Sequence, residues 1–299
     1  MAGELQDVRM SDGVVLKAKV IGNGSTKTLL MAPHGGPGLS TYKEPEAAYS
    51  AFSDKFRILL FDARGSGQSD KKGPLTHARW VDDMEELRQW ADADKMILIG
   101  GSHAGFLTLE YALTYPEHLH AIIVGDTAAQ MSHWGLMNAV KTALVDPRTR
   151  DIVDAEQVLR MMSGRLRDFN DLATGFGTIS ALYAAPPELK AQSETEVDAV
   201  LQTTMFPVLE TCNAAMGYCL SRYDVRDRLH EIKIPTMVYV GRHDWITPPS
   251  VGKAVADGIP GAKFVVYEKS GHFAALEEKT KFRVDVLQFL QESGVPGRY

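Results

Sequence analysis

The chain has 299 residues, 44% of them hydrophobic and 23% charged, and its 32 basic against 38 acidic side chains give a formal charge of −6 at pH 7. Such a composition excludes a disordered chain, and the mild acidity gives no electrostatic footprint for nucleic acid or an anionic membrane surface. There is no run of about 18 apolar residues, so no membrane-spanning helix is expected. The opening MAGELQDVRMSDG has neither a basic nor an apolar leader region, so a cytoplasmic location is expected unless a leader has been removed.

Along the chain, DVRMSDGVVLKAKV reads as an antiparallel hairpin turning at Ser-Asp-Gly, placed at a sheet edge. Short apolar runs then alternate with amphipathic stretches. The runs TLLMAPHGG (28–36), FRILLFDARG (56–65), KMILIGGS (95–102) and HAIIVGDT (120–127) are predicted strands. A helix is predicted where Trp80, Met84, Leu87 and Trp90 fall at helical spacing, and another over AGFLTLEYALTYPEHL, ending near Pro116. From 128 to 225 no strand-like run is convincing, and apolar residues recur at helical intervals. Two further strands follow in IPTMVYVGRHD (234–244) and AKFVVYEKSGH (262–272). Strands joined by helices argue for an α/β fold with a mostly parallel sheet. Residues 1–127 and 226–299 would form its core and 128–225 a helical cap. Cys212 and Cys219, the two cysteines, sit seven positions apart in a helical segment and are expected to be small buried hydrophobes.

Ser102 lies in GGSHAG, after a strand and before a helix, where a tight turn can present a hydroxyl at the tip of a sheet. Taken alone, such a turn serves equally as a helix N-cap or a phosphate-binding turn. A serine hydroxyl needs a base, and the base needs an orienting group. Asp244 follows the strand TMVYVG and His272 follows KFVVYEKSG, so serine, acid and histidine all fall at strand C-terminal ends in one chain order. The glycine loop HGGPG (34–38) offers unobstructed backbone N–H groups, and Gly36 with the residue after the serine, His103, are the expected oxyanion donors. Asp62 and Arg64 in DARGSGQSD are expected to brace a turn through buried charge-assisted hydrogen bonds.

Together HGGPG, DARGSGQSD, GGSHAG, GRHDWITPP and SGH resemble the α/β-hydrolases, and among them the proline iminopeptidase-like group, over about residues 25–127 and 230–290. The resemblance implies a sheet of about eight strands with a helical cap inserted after the sixth. It also implies no metal, no cofactor and a covalent acyl-enzyme, with Ser102 as nucleophile, His272 as general base then acid, and Asp244 fixing the imidazole. A small-molecule or short-peptide substrate is expected, cleaved by aminopeptidase or amidase chemistry. In that group a free α-amine is read by cap carboxylates, and Glu210, on a rather apolar helix, is the candidate here. Trp134, with Met131, Met137, Phe169, Phe176, Tyr183, Met205, Phe206 and Met216, is a candidate for an apolar pocket roof. An esterase or lactonase acting on a hydrophobic molecule is the first alternative. A carbon–carbon bond hydrolase and a ligand-binding receptor on the same fold are the others.

Overall fold

The structure is a computed structural model and describes residues 3–22, 27–131, 133–195 and 197–297, with the side chains of His133 and Trp134 outside that description. The elements in order are β1 (Gln6–Arg9), β2 (Val15–Ile21), β3 (Leu29–Ala32), α1 (Lys43–Tyr49), β4 (Arg57–Asp62), α2 (His77–Trp90), β5 (Met96–Gly101), α3 (His103–Thr114) and β6 (Leu119–Gly125). Then come α4 (His133–Val145), α5 (Ala155–Met162), α6 (Phe169–Ile179), α7 (Val197–Thr204), α8 (Leu209–Ala214), β7 (Thr236–Gly241), α9 (Pro249–Gly258), β8 (Lys263–Tyr267), α10 (Ala274–Glu277) and α11 (Lys279–Glu292).

One eight-stranded sheet runs β1-β2-β4-β3-β5-β6-β7-β8, antiparallel at β1·β2 and β2·β4 and parallel from β4 to β8. The eight-stranded, mostly parallel sheet expected from the sequence is therefore present. So is the edge hairpin, turned by a Gly13 N–H bond of 2.9 Å to the Met10 carbonyl. Because the sheet is covered on both faces, its central strands carry near-continuous apolar runs. In β5 the two-residue period sends Met96 and Leu98 into the core beneath α2 and α3, and Ile97 and Ile99 into the core beneath α1 and α11. Each fully buried side chain of this kind contributes roughly 1.5–3 kcal/mol.

The observed strands are shorter than the predicted runs. β3 stops at Ala32, because Pro33 has no N–H for the ladder and Gly36 takes φ +29° in the loop that follows. Within α2, Trp80, Met84 and Leu87 are buried as expected, whereas Trp90, at the C-terminal end, is 36% exposed. It lies past the last turn that packs on the sheet.

Between β6 and β7 the described residues form helices and turns, joined to strand geometry only by an isolated bridge from Gln130 to Asp224. These helices enclose their own small core, including Val140, Val158, Met162, Leu172 and Leu182. Short hydrogen bonds tie this segment to the HGGPG loop: Phe206 N–H donates to Leu39 at 2.7 Å and Val208 N–H to Gly38 at 2.6 Å. Gly38 is required there, since a Cβ would lie 2.6 Å from the Val208 carbonyl oxygen at φ +64°. Cys212 and Cys219 are both free and buried, and burial pushes their thiols up to about 12 and about 11, as suits small apolar fillers.

Candidate active site

The sheet order places β3 between β4 and β5, so the chain reverses its direction of travel at β3 and opens a crevice at the strands' C-terminal ends. Ser102 caps β5 at that crevice with φ +56° and ψ −127°, a region that costs an L-residue about 1–3 kcal/mol. Its neighbours enforce the strain. A Cβ on Gly100 would sit 2.7 Å from both the Ala104 carbonyl oxygen and Thr108 Oγ1, and one on Gly105 would sit 2.7 Å from Thr127 Cβ. The Ser102 N–H donates to Gly125 at 3.1 Å and its carbonyl accepts from Gly105 at 2.9 Å. Its side chain makes no capping bond to α3, which removes the helix-cap alternative for this serine.

Asp244 lies just past β7 and is buried. Its Oδ1 accepts the N–H groups of Ile246 (3.0 Å) and Thr247 (2.9 Å), while Oδ2 accepts the Thr247 hydroxyl (2.6 Å) and faces His272 Nδ1 at 2.8 Å. Burial opposes the charge on Asp244, but His272 and Thr247 outweigh it and hold the carboxyl below its usual value. For His272 burial likewise disfavours the charged ring, yet the Asp244 carboxylate, helped by Asp126 and Glu44, raises its pKa above the ordinary histidine value. His272 Nε2 is buried and has no hydrogen-bond partner among the described residues. The ring is wedged by Tyr183 (centroids 5.3 Å apart) and Phe273 (5.6 Å), and the His272 N–H donates to the Tyr183 carbonyl at 2.7 Å.

Ser102 and His272 line one cavity of about 110 Å³, together with Gly36 and His103. Among the described residues, neither the Gly36 N–H nor the His103 N–H donates to a protein group. The first is in a loop turned by positive φ and the second is the orphan donor of a helix's first turn. The His103 ring turns elsewhere, with Nε2 3.2 Å from His77 Nε2. The HGGPG loop is pinned by His34, whose Nε2 accepts the Ala63 N–H at 3.1 Å and whose Nδ1 lies 3.0 Å from the Gly35 carbonyl. DARGSGQSD braces the same corner as expected. Asp62 accepts from the Tyr42 N–H (2.8 Å) and the Gln68 N–H (2.7 Å), and fully buried Arg64 forks onto Asp83 with two bonds of 2.8 Å.

The substrate-reading expectations fare differently. Glu210 is exposed and does not line the cavity, because α8 buries Thr211 and Cys212 and leaves Glu210 on its outer side. Of the proposed roof, Met131, Phe176, Tyr183, Met205 and Met216 do line the cavity. Met137, Phe169 and Phe206 are at least half exposed instead, on the outer faces of their helices or turns. Trp134 lies on α4, with its side chain outside the description.

Three acids near the site were not singled out in the sequence. Glu277 is buried and accepts the Gly271 N–H at 2.7 Å and the Ala185 N–H at 2.6 Å, fastening the His272 loop to the helical segment. Asp126, at φ +46° just past β6, accepts the Gly241 N–H at 3.1 Å. Burial and nearby Asp244 push its carboxyl well above the usual range. Glu44 is the one carboxylate among the described residues lining the main cavity. Its carboxylate accepts the Gly35 N–H at 3.2 Å and the Ser40 hydroxyl. The signal for Asp126 was available: VGDT ends β6 much as VGRHD ends β7. Glu44, ten positions beyond His34, carries no comparable pattern.

The family described as having the alpha/beta hydrolase fold matches residues 28–279. The proline iminopeptidase PfmaB of Pestalotiopsis fici is 31% identical over 254 residues, 84% of this chain and 87% of that one. A proline iminopeptidase of Saccharolobus solfataricus is 26% identical over 282 residues, 90% of this chain and 86% of that one. Among solved structures, a hydrolase from Pseudomonas aeruginosa superposes with a TM-score of 0.74 at 26% identity, covering 97% of this chain and 99% of its own. The chain belongs to the α/β-hydrolase family, in its proline iminopeptidase-like group, and is a serine hydrolase.

Proposed function

We propose that Ser102, His272 and Asp244 form the catalytic triad of a hydrolase that cleaves a small carbonyl substrate through an acyl-enzyme. The observation that carries this reading is His272, held through Nδ1 by Asp244 at 2.8 Å while its buried Nε2 stays unpartnered in the cavity it shares with Ser102. Ser102 Oγ attacks the substrate carbonyl as His272 Nε2 takes its proton, then the imidazolium hands that proton to the leaving group. The Gly36 and His103 N–H groups receive the oxyanion. In free hydrolases the serine–histidine hydrogen bond is commonly long and tightens with substrate bound. The helices of 128–225 act as a cap that closes an apolar acyl site over this centre.

For the substrate, the apolar wall supports an ester, lactone or amide with a hydrophobic acyl group. Met161, Met162, Leu172 and Phe176 line the cavity with Ser102 there, and among the described residues no carboxylate of the helical segment does. The proline iminopeptidase relatives support a second reading, an aminopeptidase or amidase that needs a free α-amine. On that reading Glu44, from the core, would have to replace the expected Glu210. Initial rates on p-nitrophenyl butyrate and proline p-nitroanilide, with Ser102→Ala as the blank, separate the two. Faster ester cleavage is expected. Preferential cleavage of the free-amine anilide would overturn the first reading in favour of the second.

A further inference from the structure

A second, smaller cavity of about 30 Å³ lies beside the main one and shares Glu44, Ser102 and His272 with it. That is room for one or two water molecules, and its lining supplies the several polar partners that a buried water requires. Tyr49 and Tyr239 place their hydroxyls 3.3 Å apart, and the Asp126 and Glu44 carboxyl groups are each fixed by a backbone N–H. A Cβ on Gly35 would lie 3.1 Å from Glu44 Oε1 and 3.5 Å from Ser102 Cβ, so the carboxylate and the nucleophile flank one point. An ionised carboxylate offers about four acceptor sites, and the Gly35 and Ser40 donors leave room for another.

Hydrolysis through an acyl-enzyme has a spatial difficulty. Once Ser102 is acylated, the acyl group occupies the apolar cavity, yet water must reach both the ester carbon and His272 Nε2. From the observed lining we infer that the small chamber is the seat of the hydrolytic water and that Glu44 positions it. This rests on the acyl-enzyme reading above. The water donates one hydrogen bond to His272 Nε2 and the other to the Glu44 carboxylate, which turns its oxygen lone pair toward the ester carbon. Its oxygen then adds to that carbon as one proton passes to Nε2. The tetrahedral intermediate collapses, the carbon–Ser102 Oγ bond breaks, and Nε2 returns the proton to Oγ. The acid leaves with the water oxygen, and Glu44 takes no net proton. A carboxylate beside an apolar acyl site is otherwise a cost, since it sits close to where the oxyanion develops.

The test separates acylation from deacylation with p-nitrophenyl butyrate, by stopped-flow burst kinetics and intact mass after acid quench. Glu44→Gln weakens the acceptor, and Ala48→Val fills the chamber from α1 without touching the HGGPG loop; Ala48 lines the small cavity and not the main one. Both variants are expected to lower kcat about tenfold or more while kcat/KM changes little, and to accumulate a butyryl adduct on Ser102. Should Glu44→Gln disturb the oxyanion loop as well, Ala48→Val alone decides. If Ala48→Val leaves the deacylation rate unchanged, or lowers both steps equally with no adduct, the chamber is not the water site. Those results leave the triad standing, whereas full turnover by Ser102→Ala would remove the acyl-enzyme and this inference with it.

Discussion

The sheet's C-terminal edge and the helical segment above it answer to the sequence in different ways. At the edge, a side chain's position follows from where a strand stops. Ser102, Asp244 and His272 each sit within a few residues of the end of β5, β7 or β8, and the parallel ladder brings those ends to one crevice. In the helical segment a side chain's direction depends on which face of a short helix finds a partner. α8 has six residues, and a rotation of about 100° per residue separates buried Thr211 from exposed Glu210. On the proposed assignment, chemistry is therefore anchored by backbone topology, and substrate choice by packing.

The comparison can be broken from either side. Ser102→Ala removes the proposed nucleophile at the edge and should lower kcat/KM by about 10⁴-fold or more. The melting temperature should stay nearly unchanged, since the strained turn is held by Gly100, Gly105 and Thr127 whichever side chain it carries. Asp244→Asn should cost roughly 10³–10⁴ in kcat through loss of imidazole orientation. It should also move the pH profile. Activity requires a neutral Nε2, and His272 is raised above its usual value, so wild-type kcat/KM should climb with pH through a midpoint above about 6.5. Removing the Asp244 charge lowers that midpoint, and the residual activity of Asp244→Asn should saturate at lower pH; a limb moving upward would contradict the assignment.

Changes in the helical segment should be gentler. Phe176→Ala, which opens the apolar wall, should raise KM for butyryl esters by about tenfold, an amount set by the lost burial of one side chain, with kcat little altered. A fall in kcat alone would instead place Phe176 in the reacting geometry. Smallest of all, Glu210→Gln should leave kcat and KM within about twofold for esters and free-amine anilides alike. A large loss confined to the anilide would restore Glu210 as an amine-reading residue and sharpen the division differently.

Much of the edge was legible because its residues are dictated locally. HGGPG, GGSHAG and the two strand-terminal motifs state where a turn needs small residues and where a polar group follows an apolar run. The expected donors Gly36 and His103 line the cavity with Ser102 for the same reason. Glu277 is hidden from the sequence because its place is set by bonds across the fold, to Gly271 and Ala185, and spacing carries no trace of such partners, whereas Asp126 does show in the strand-ending VGDT although its bond to Gly241 does not. Glu44 is hidden for the same reason as Glu277: it is brought beside Ser102 by the meeting of α1 with the HGGPG loop. In the helical segment most of the apolar residues at helical spacing do fall on helices, although Met131, Met205 and Phe206 lie in the connections between them. Amphipathic spacing alone, however, does not tell Met205 and Phe176, which line the cavity, from Phe169 and Phe206, which face outward.

The central claim is that Ser102 becomes covalently acylated at the crevice. Its most direct test is to react the protein with a fluorophosphonate and map the modified peptide by mass spectrometry. A single adduct on Ser102, lost in Ser102→Ala and slowed in Asp244→Asn, is the predicted result. Stoichiometric labelling at another residue, or none while esters are still turned over, would contradict it.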